Sequence, residues 1–159
     1  MVQINRKFKG AQWLVLLTLF AVLCSFSGNW GGDSYKVFVN NKLVMEEYVH
    51  GQKGVKALQL NPRGVNDEIS VYYSHCGSWG KARNITLKDG KNKILKEWKF
   101  DDATGTGAKA AMVCSAKDIL DAKKNGGYDR LNLYYSSKEL PQGKLLVYII
   151  TAKDNVTAP

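Results

Sequence analysis

Two eight-residue stretches, D-E-I-S-V-Y-Y-S from Asp67 and D-R-L-N-L-Y-Y-S from Asp129, align without a gap at an offset of 62 residues. Apolar side chains fall at every second position in both: Ile69, Val71 and Tyr73 in the first, Leu131, Leu133 and Tyr135 in the second. A period of two gathers those residues on one face of an extended strand and scatters them around a helix. Two distant strands with one oily face each need a second layer to cover them. The same register lays Arg83, Ile85 and Leu87 over Leu145, Val147 and Ile149, so each half reads as a strand, a loop and a return strand. Two such hairpins facing each other predict a β-sandwich.

The rest of the chain agrees with that scheme. Residues 35–49 hold two β-rich runs around Asn40-Asn41, and asparagine tolerates the positive φ of a two-residue hairpin turn. A short run from Lys56 ends in Asn61-Pro62-Arg63-Gly64, which is turn chemistry. In the strand from Glu68 to Cys76, His75 joins the Ile69 face, whereas Ser70, Tyr72, Ser74 and Cys76 share the other. Gly77 to Gly80 reads as a loop. Asp89-Gly90 signals a hairpin into 94–100, where Lys91, Lys93, Lys96 and Lys99 have the look of edge protection. Ser115 and Asp118 have capping-box spacing, Ala116, Ile119 and Leu120 share a helical face, and Asn125-Gly126-Gly127 stops it. In 144–152 both alternating sets are apolar, which predicts a strand buried on both faces at the centre of the fold. The fold class is all-β, mainly antiparallel: a single β-sandwich domain over 35–152 with about eight strands and one short helix.

Ahead of that domain, Arg6, Lys7 and Lys9 precede an apolar block from Trp13 to Cys24, and Ser25-Phe26-Ser27 offers small residues where a signal peptidase cuts. The pattern predicts a signal peptide over 1–27 and a Gly-rich flexible leader over 28–34. The apolar block falls short of the roughly 20 residues of a spanning helix, so no stable transmembrane anchor is expected after cleavage. A lipid anchor at Cys24 is the weaker alternative, because the large Leu23 stands where that processing wants a small side chain. The expected destination is extracytoplasmic, secreted or periplasmic, and 153–159 reads as a polar tail.

The net charge of +9 becomes +6 once Arg6, Lys7 and Lys9 are removed. Such a surface favours acidic partners, and the scattered lysines describe a solvated surface more than a nucleic-acid stripe. A protein or an acidic glycan is the partner class expected, on a monomer or weak oligomer. No cofactor is implied.

Three kinds of chemistry compete for the stretch Y-Y-S-H-C-G-S-W at 72–79. Cys76-Gly77-Ser78-Trp79 resembles the nucleophile signature of papain-like proteases, but only 83 residues follow Cys76 and none is histidine. A soft-metal or redox-responsive carrier would use His75, Cys76, Met112 and Cys114, a set suited to copper but lacking a metal-site spacing. A disulfide between Cys76 and Cys114 is the expectation favoured, because two cysteines survive cleavage in an oxidising space. Closing a loop of 38 residues would stabilise the fold by roughly 3 to 4 kcal/mol.

No paired carboxylates, complete triad or phosphate loop is legible, since Lys109 of G-T-G-A-K is followed by Ala110. The sequence therefore points to a non-enzymatic exported sandwich with a binding or envelope-structural role and no catalytic residues. Trp79, Tyr72, Tyr134 and Tyr135 are the candidate binding residues. A hydrolase with an unrecognised site is the remaining alternative. Asn84 and Asn155 head glycosylation sequons.

Overall fold

The computed structural model describes residues 32–51, 54–103 and 110–151, all inside one compact unit, Gly31–Pro159. The signal segment 1–27 with Cys24, most of the leader, the G-T-G-A-K stretch and the tail with Asn155 lie outside the described residues.

The domain is all-β, with two mostly antiparallel sheets and one short helix. Strands β1 (Ser34–Val39) and β2 (Lys42–Tyr48) form the expected hairpin. Asn40 and Asn41 take φ of 49° and 63°, the left-handed conformation that matches the turn to the strand twist. Then follow β3 (Lys56–Leu60), β4 (Glu68–His75), β5 (Ser78–Trp79), β6 (Arg83–Lys88), β7 (Ile94–Phe100) and β8 (Met112–Ser115). Helix α1 (Ala116–Gly126), β9 (Leu131–Ser136) and β10 (Lys144–Thr151) complete the chain. The described residues hold ten strands. The two that sequence reasoning missed, β5 and β8, span two and four residues, too few to show a period.

Sheet I runs β2-β1-β4-β5, with β8 pairing the other stretch of β4. Sheet II runs β3-β10-β9-β6-β7, with β3 and β10 parallel. The repeated motif lands as one strand in each sheet, and the inward tyrosines meet: Tyr73 of β4 stacks on Tyr135 of β9 at 4.1 Å between ring centroids. The expectation of two matching hairpins holds for β9 and β10 only. In the first half β5 turns back on β4, and the chain then passes Gly80 and Ala82, the latter at φ 48°, into β6 of the other sheet. A left-handed residue between strands re-aims the chain, which alternation alone does not reveal.

The core is the expected inner set: Ile69, Val71, Ile85, Leu87, Leu131, Leu133, Val147 and Ile149 are fully buried. Full burial of each such aliphatic contributes about 1.5 to 3 kcal/mol. Tyr35 is buried too, stacked beside Tyr73 and donating its hydroxyl to Leu146 O at 2.7 Å. β7 with its lysines is the terminal strand, as expected, whereas β10 is not the central, doubly buried strand: it lies second in sheet II, between β3 and β9, and Tyr148 and Ile150 are only half-buried. The capping box does not form: Ser115 makes no side-chain cap, and Asp118 pairs with Lys96 of β7 at 3.4 Å instead. The helix stop does form at Gly127, φ 62°, whose N–H returns to Lys124 O.

The Cys76–Cys114 bridge is not formed. Cys114 is fully buried on β8 opposite Ile69, whereas Cys76 sits in the turn that follows His75, seven residues farther along β4. At about 3.3 Å per residue the two are roughly 20 Å apart, far beyond the Cα separation a disulfide tolerates. Burial, aided by the charge of Asp118, pushes the Cys114 thiol up to about 12.

Candidate functional site

Outward side chains of sheet I fall into three cross-strand rows fixed by the register. The first is Leu43, Phe38, Ser70 and Val113; the second Glu46, Lys36 and Tyr72; the third Tyr48, Ser34, Ser74 and Trp79. Leu43, Val113 and Tyr48 are 45, 43 and 65% exposed. An outer sheet face ordinarily alternates to polar. Among the described residues this one carries a single ion pair, Lys36 to Glu46 at 3.0 Å, in a field of aliphatic and aromatic groups.

Within that face Ser34, Lys36, Phe38, Tyr72, Ser74 and Trp79 line a cleft of about 270 Å³. Phe38 meets Tyr72 edge to face at 5.3 Å between centroids. Trp79 reaches the same place because the Cys76-Gly77 turn, with φ of 50° and 88°, folds β5 back so that Trp79 lies opposite Ser74. Ser74 Oγ accepts the Gly77 N–H at 3.0 Å, which leaves its own O–H to donate.

On the inner side of the same strand ends lies a chain of hydrogen bonds that joins the sheets. Asp33 Oδ2 accepts the Tyr73 hydroxyl at 2.9 Å and lies 3.2 Å from His75 Nδ1. A carboxylate only accepts, so Nδ1 carries a proton and, in the neutral ring, Nε2 accepts. Nε2 has two hydroxyls within reach, Tyr135 at 3.0 Å and Ser137 at 3.1 Å, and Ser137 Oγ accepts the Leu140 N–H at 3.2 Å. Gly80 closes over the group, where a Cβ would collide with Tyr135 Oη and crowd Ser137 and His75. Lys138 N–H donates to Lys81 O at 2.8 Å and Lys81 N–H to Glu139 at 2.9 Å, which ties the flanking loops together. That backbone hydrogen bond holds the Glu139 carboxyl below its ordinary range. Burial, then the bond to Asp33, pushes the Tyr73 phenol well above its ordinary range, and burial raises Tyr135 against the opposing effect of Ser137.

Asp33, His75 and Ser137 have the connectivity of a hydrolytic triad, but the exposure gradient runs the wrong way. A triad opens at its serine and buries its aspartate. Here Ser137 is 5% exposed, while the His75 and Asp33 side chains are 11% and 25% exposed. The hydroxyl that would attack is thus the most enclosed of the three, under Gly80.

Of the four candidate binding residues, the structure brings Tyr72 and Trp79 together and separates the others. Tyr135 is fully buried in the core. Its position follows from the alternation that makes it the inward partner of Tyr73, so its nomination as a contact residue is corrected. Tyr134 lies on the outer face of sheet II, with Lys88 Nζ 4.4 Å over its ring. The soft-metal quartet does not converge, because Met112 and Cys114 lie in the core opposite Val71 and Ile69, well short of His75 along β4. Among the described residues no group of three or more His, Cys, Asp or Glu is placed to hold a metal ion, and no helix is long and apolar enough to cross a membrane. Asn84 lies on β6, its side-chain amide donating to Ala82 O at 3.2 Å.

Sequence reasoning missed Phe38, Asp33, Ser137 and Gly80. Phe38 was legible as an outward aromatic of β1; Asp33 stood in a stretch read as leader, and nothing in the sequence ties Ser137 to His75. No protein-family model matches the chain, and no curated protein or solved structure is found to be similar to it.

Proposed function

We propose that this chain is an exported, non-enzymatic β-sandwich that binds a ligand on the outer face of sheet I, in the cleft of Phe38, Tyr72 and Trp79. The observation that carries the reading is the convergence of three rings from β1, β4 and β5 in a cleft of about 270 Å³. Aromatic side chains offer large contact area at small cost in conformational entropy, which is why they dominate recognition surfaces. The cleft suits a ligand that presents one flat apolar ring face. Export is supported by the basic, apolar and small-residue order of 1–27. A monomer or weak oligomer fits the size of the face: three rows spaced two residues apart span about 14 Å and four strands span about as much, roughly 200 Å² beside the roughly 800 Å² per partner of a stable interface.

Ligand titration followed by amide and indole chemical shifts tests this reading. Shifts are expected at Lys36, Phe38, Tyr72, Ser74 and Trp79, with sheet II silent. Shifts confined to Tyr134 and Tyr148 would refute it. The hydrolase reading rests on the Asp33–His75–Ser137 connectivity, and the inverted gradient weighs against it. Incubation with a fluorophosphonate, which labels activated serines, is expected to leave Ser137 unmodified; stoichiometric labelling of Ser137 would replace the binding reading with the enzymatic one.

A further inference from the structure

Resting on the binding reading above, we infer that the cleft takes a sugar ring carrying a carboxylate, a uronic-acid residue of an acidic glycan. The first ground is what the floor of the cleft withholds. β1 is hydrogen-bonded to β2 on one side and β4 on the other along its whole length. A peptide gains much of its affinity by adding main-chain bonds to an open strand edge, and β1 has none to give. The floor of the cleft therefore favours recognition by side chains.

Those side chains match a pyranose. The apolar C–H face of a sugar stacks on aromatic rings, and Trp79, Tyr72 and Phe38 supply them. Its hydroxyls need donors and acceptors at the rim, and Ser34 and Ser74 stand side by side there as a cross-strand pair. Ser74 already uses one lone pair on Gly77 N–H, which fixes its oxygen and directs its hydroxyl proton to another acceptor. A wholly apolar partner would offer the Ser74 hydroxyl proton no acceptor, at a cost in affinity.

The second ground is charge. Among the described residues Lys36 is the one charged residue lining the cleft, and it lies directly opposite Tyr72 in the register. Its ion pair with Glu46 joins side chains that are 48% and 37% exposed. Exposed pairs of that kind contribute little, so the ammonium can turn to a ligand carboxylate at small cost. The positive charge that survives removal of Arg6, Lys7 and Lys9, +6, draws acidic polymers toward the surface and repels basic ones.

The test uses the folded chain, with oligogalacturonate as the acidic probe, a neutral gluco-oligosaccharide of equal length, and a tyrosine-rich neutral peptide, each read by the Trp79 indole resonance and by calorimetry. Oligogalacturonate is expected to bind about three- to tenfold more tightly than the neutral sugar at low salt, with the gap closing toward 0.5 M salt. Lys36→Gln is expected to abolish that preference, and Glu46→Gln to widen it. Trp79→Ala is expected to weaken both sugars. Equal binding of the two sugars, or a preference unchanged in Lys36→Gln, overturns the acidic assignment and leaves the cleft reading standing. Peptide binding at Trp79 without sugar binding overturns the glycan assignment alone. Sugar binding unaffected by Trp79→Ala overturns the cleft itself, and no binding of either sugar overturns this inference.

Discussion

Strands β4 and β9 carry nearly the same letters and serve different ends. Each sends one tyrosine inward and one outward. The inward pair, Tyr73 and Tyr135, is equivalent: the rings stack on one another, and burial raises both phenols. The outward pair is not. Tyr72 has Phe38 and Trp79 for neighbours and lines an open cleft, whereas Tyr134 lies under the Lys88 ammonium, with Asn92 3.4 Å from its hydroxyl. A cation over the ring satisfies its electron-rich face from within the molecule. One local motif thus yields a binding wall or a capped surface according to which residues the adjacent strands place beside it.

Removing the shared inner pair should do most damage. Tyr135→Ala and Tyr73→Ala are each expected to cost about 3 to 5 kcal/mol, read by urea unfolding, against less than about 1 kcal/mol for Tyr72→Ala and Tyr134→Ala. Equal losses from inner and outer tyrosines would erase the distinction. The same burial sets an alkaline limit. A phenol whose folded value is raised keeps its proton while the unfolded chain ionises, so stability holds below about pH 10 and falls as pH rises beyond it. Tyr73→Phe should flatten that decline, and a decline that begins in the neutral range would point elsewhere.

The outer pair separates next. Tyr72→Ala is expected to weaken ligand by about tenfold and Trp79→Ala by about thirtyfold, while Tyr134→Ala stays within about twofold; a comparable loss at Tyr134 would move the site to sheet II. A subtler contrast follows the first motif, where His75 bridges the sheets. The double-mutant cycle of His75→Gln and Ser137→Ala is expected to show a coupling of about 1 kcal/mol, and additive losses would show that the bond contributes nothing net. Smallest is Lys88→Gln, which should lower stability by about 0.5 kcal/mol and open the Tyr134 face to solvent; an increase would show that the cation strains the sheet.

Strand existence and face were legible because period-two alternation is local, and the Asn40-Asn41 and Gly127 turns were legible because their backbone demands a particular residue type. Strand partnership beyond the adjacent hairpins was not. Nothing in the repeat tells that β4 turns back through β5 while β9 runs straight into β10, since the difference lies in the left-handed conformations of Cys76 and Ala82, residues that rarely adopt them. The disulfide failed for the same reason: cysteine count and compartment say that thiols pair if they meet, and only register says that Cys114 faces Ile69. Two of the three rings of the cleft, Tyr72 and Trp79, were named from their places near the loops at one end of the sandwich. Phe38 needed the knowledge that β1 lies beside β4, and Asp33 needed β1 to begin directly after it.

Arg83 holds a last consequence. Its guanidinium is 3% exposed and donates to Asp101 O at 2.9 and 2.6 Å and to Ala110 O at 2.7 Å, with burial drawing its affinity for the proton downward. One side chain therefore grips both ends of the stretch between β7 and β8, and the backbone leaves and returns at a single knot. Removing this one side chain would strip Asp101 and Ala110 of their shared donor at a stroke, so a single residue of β6 anchors the end of one strand and the approach to another.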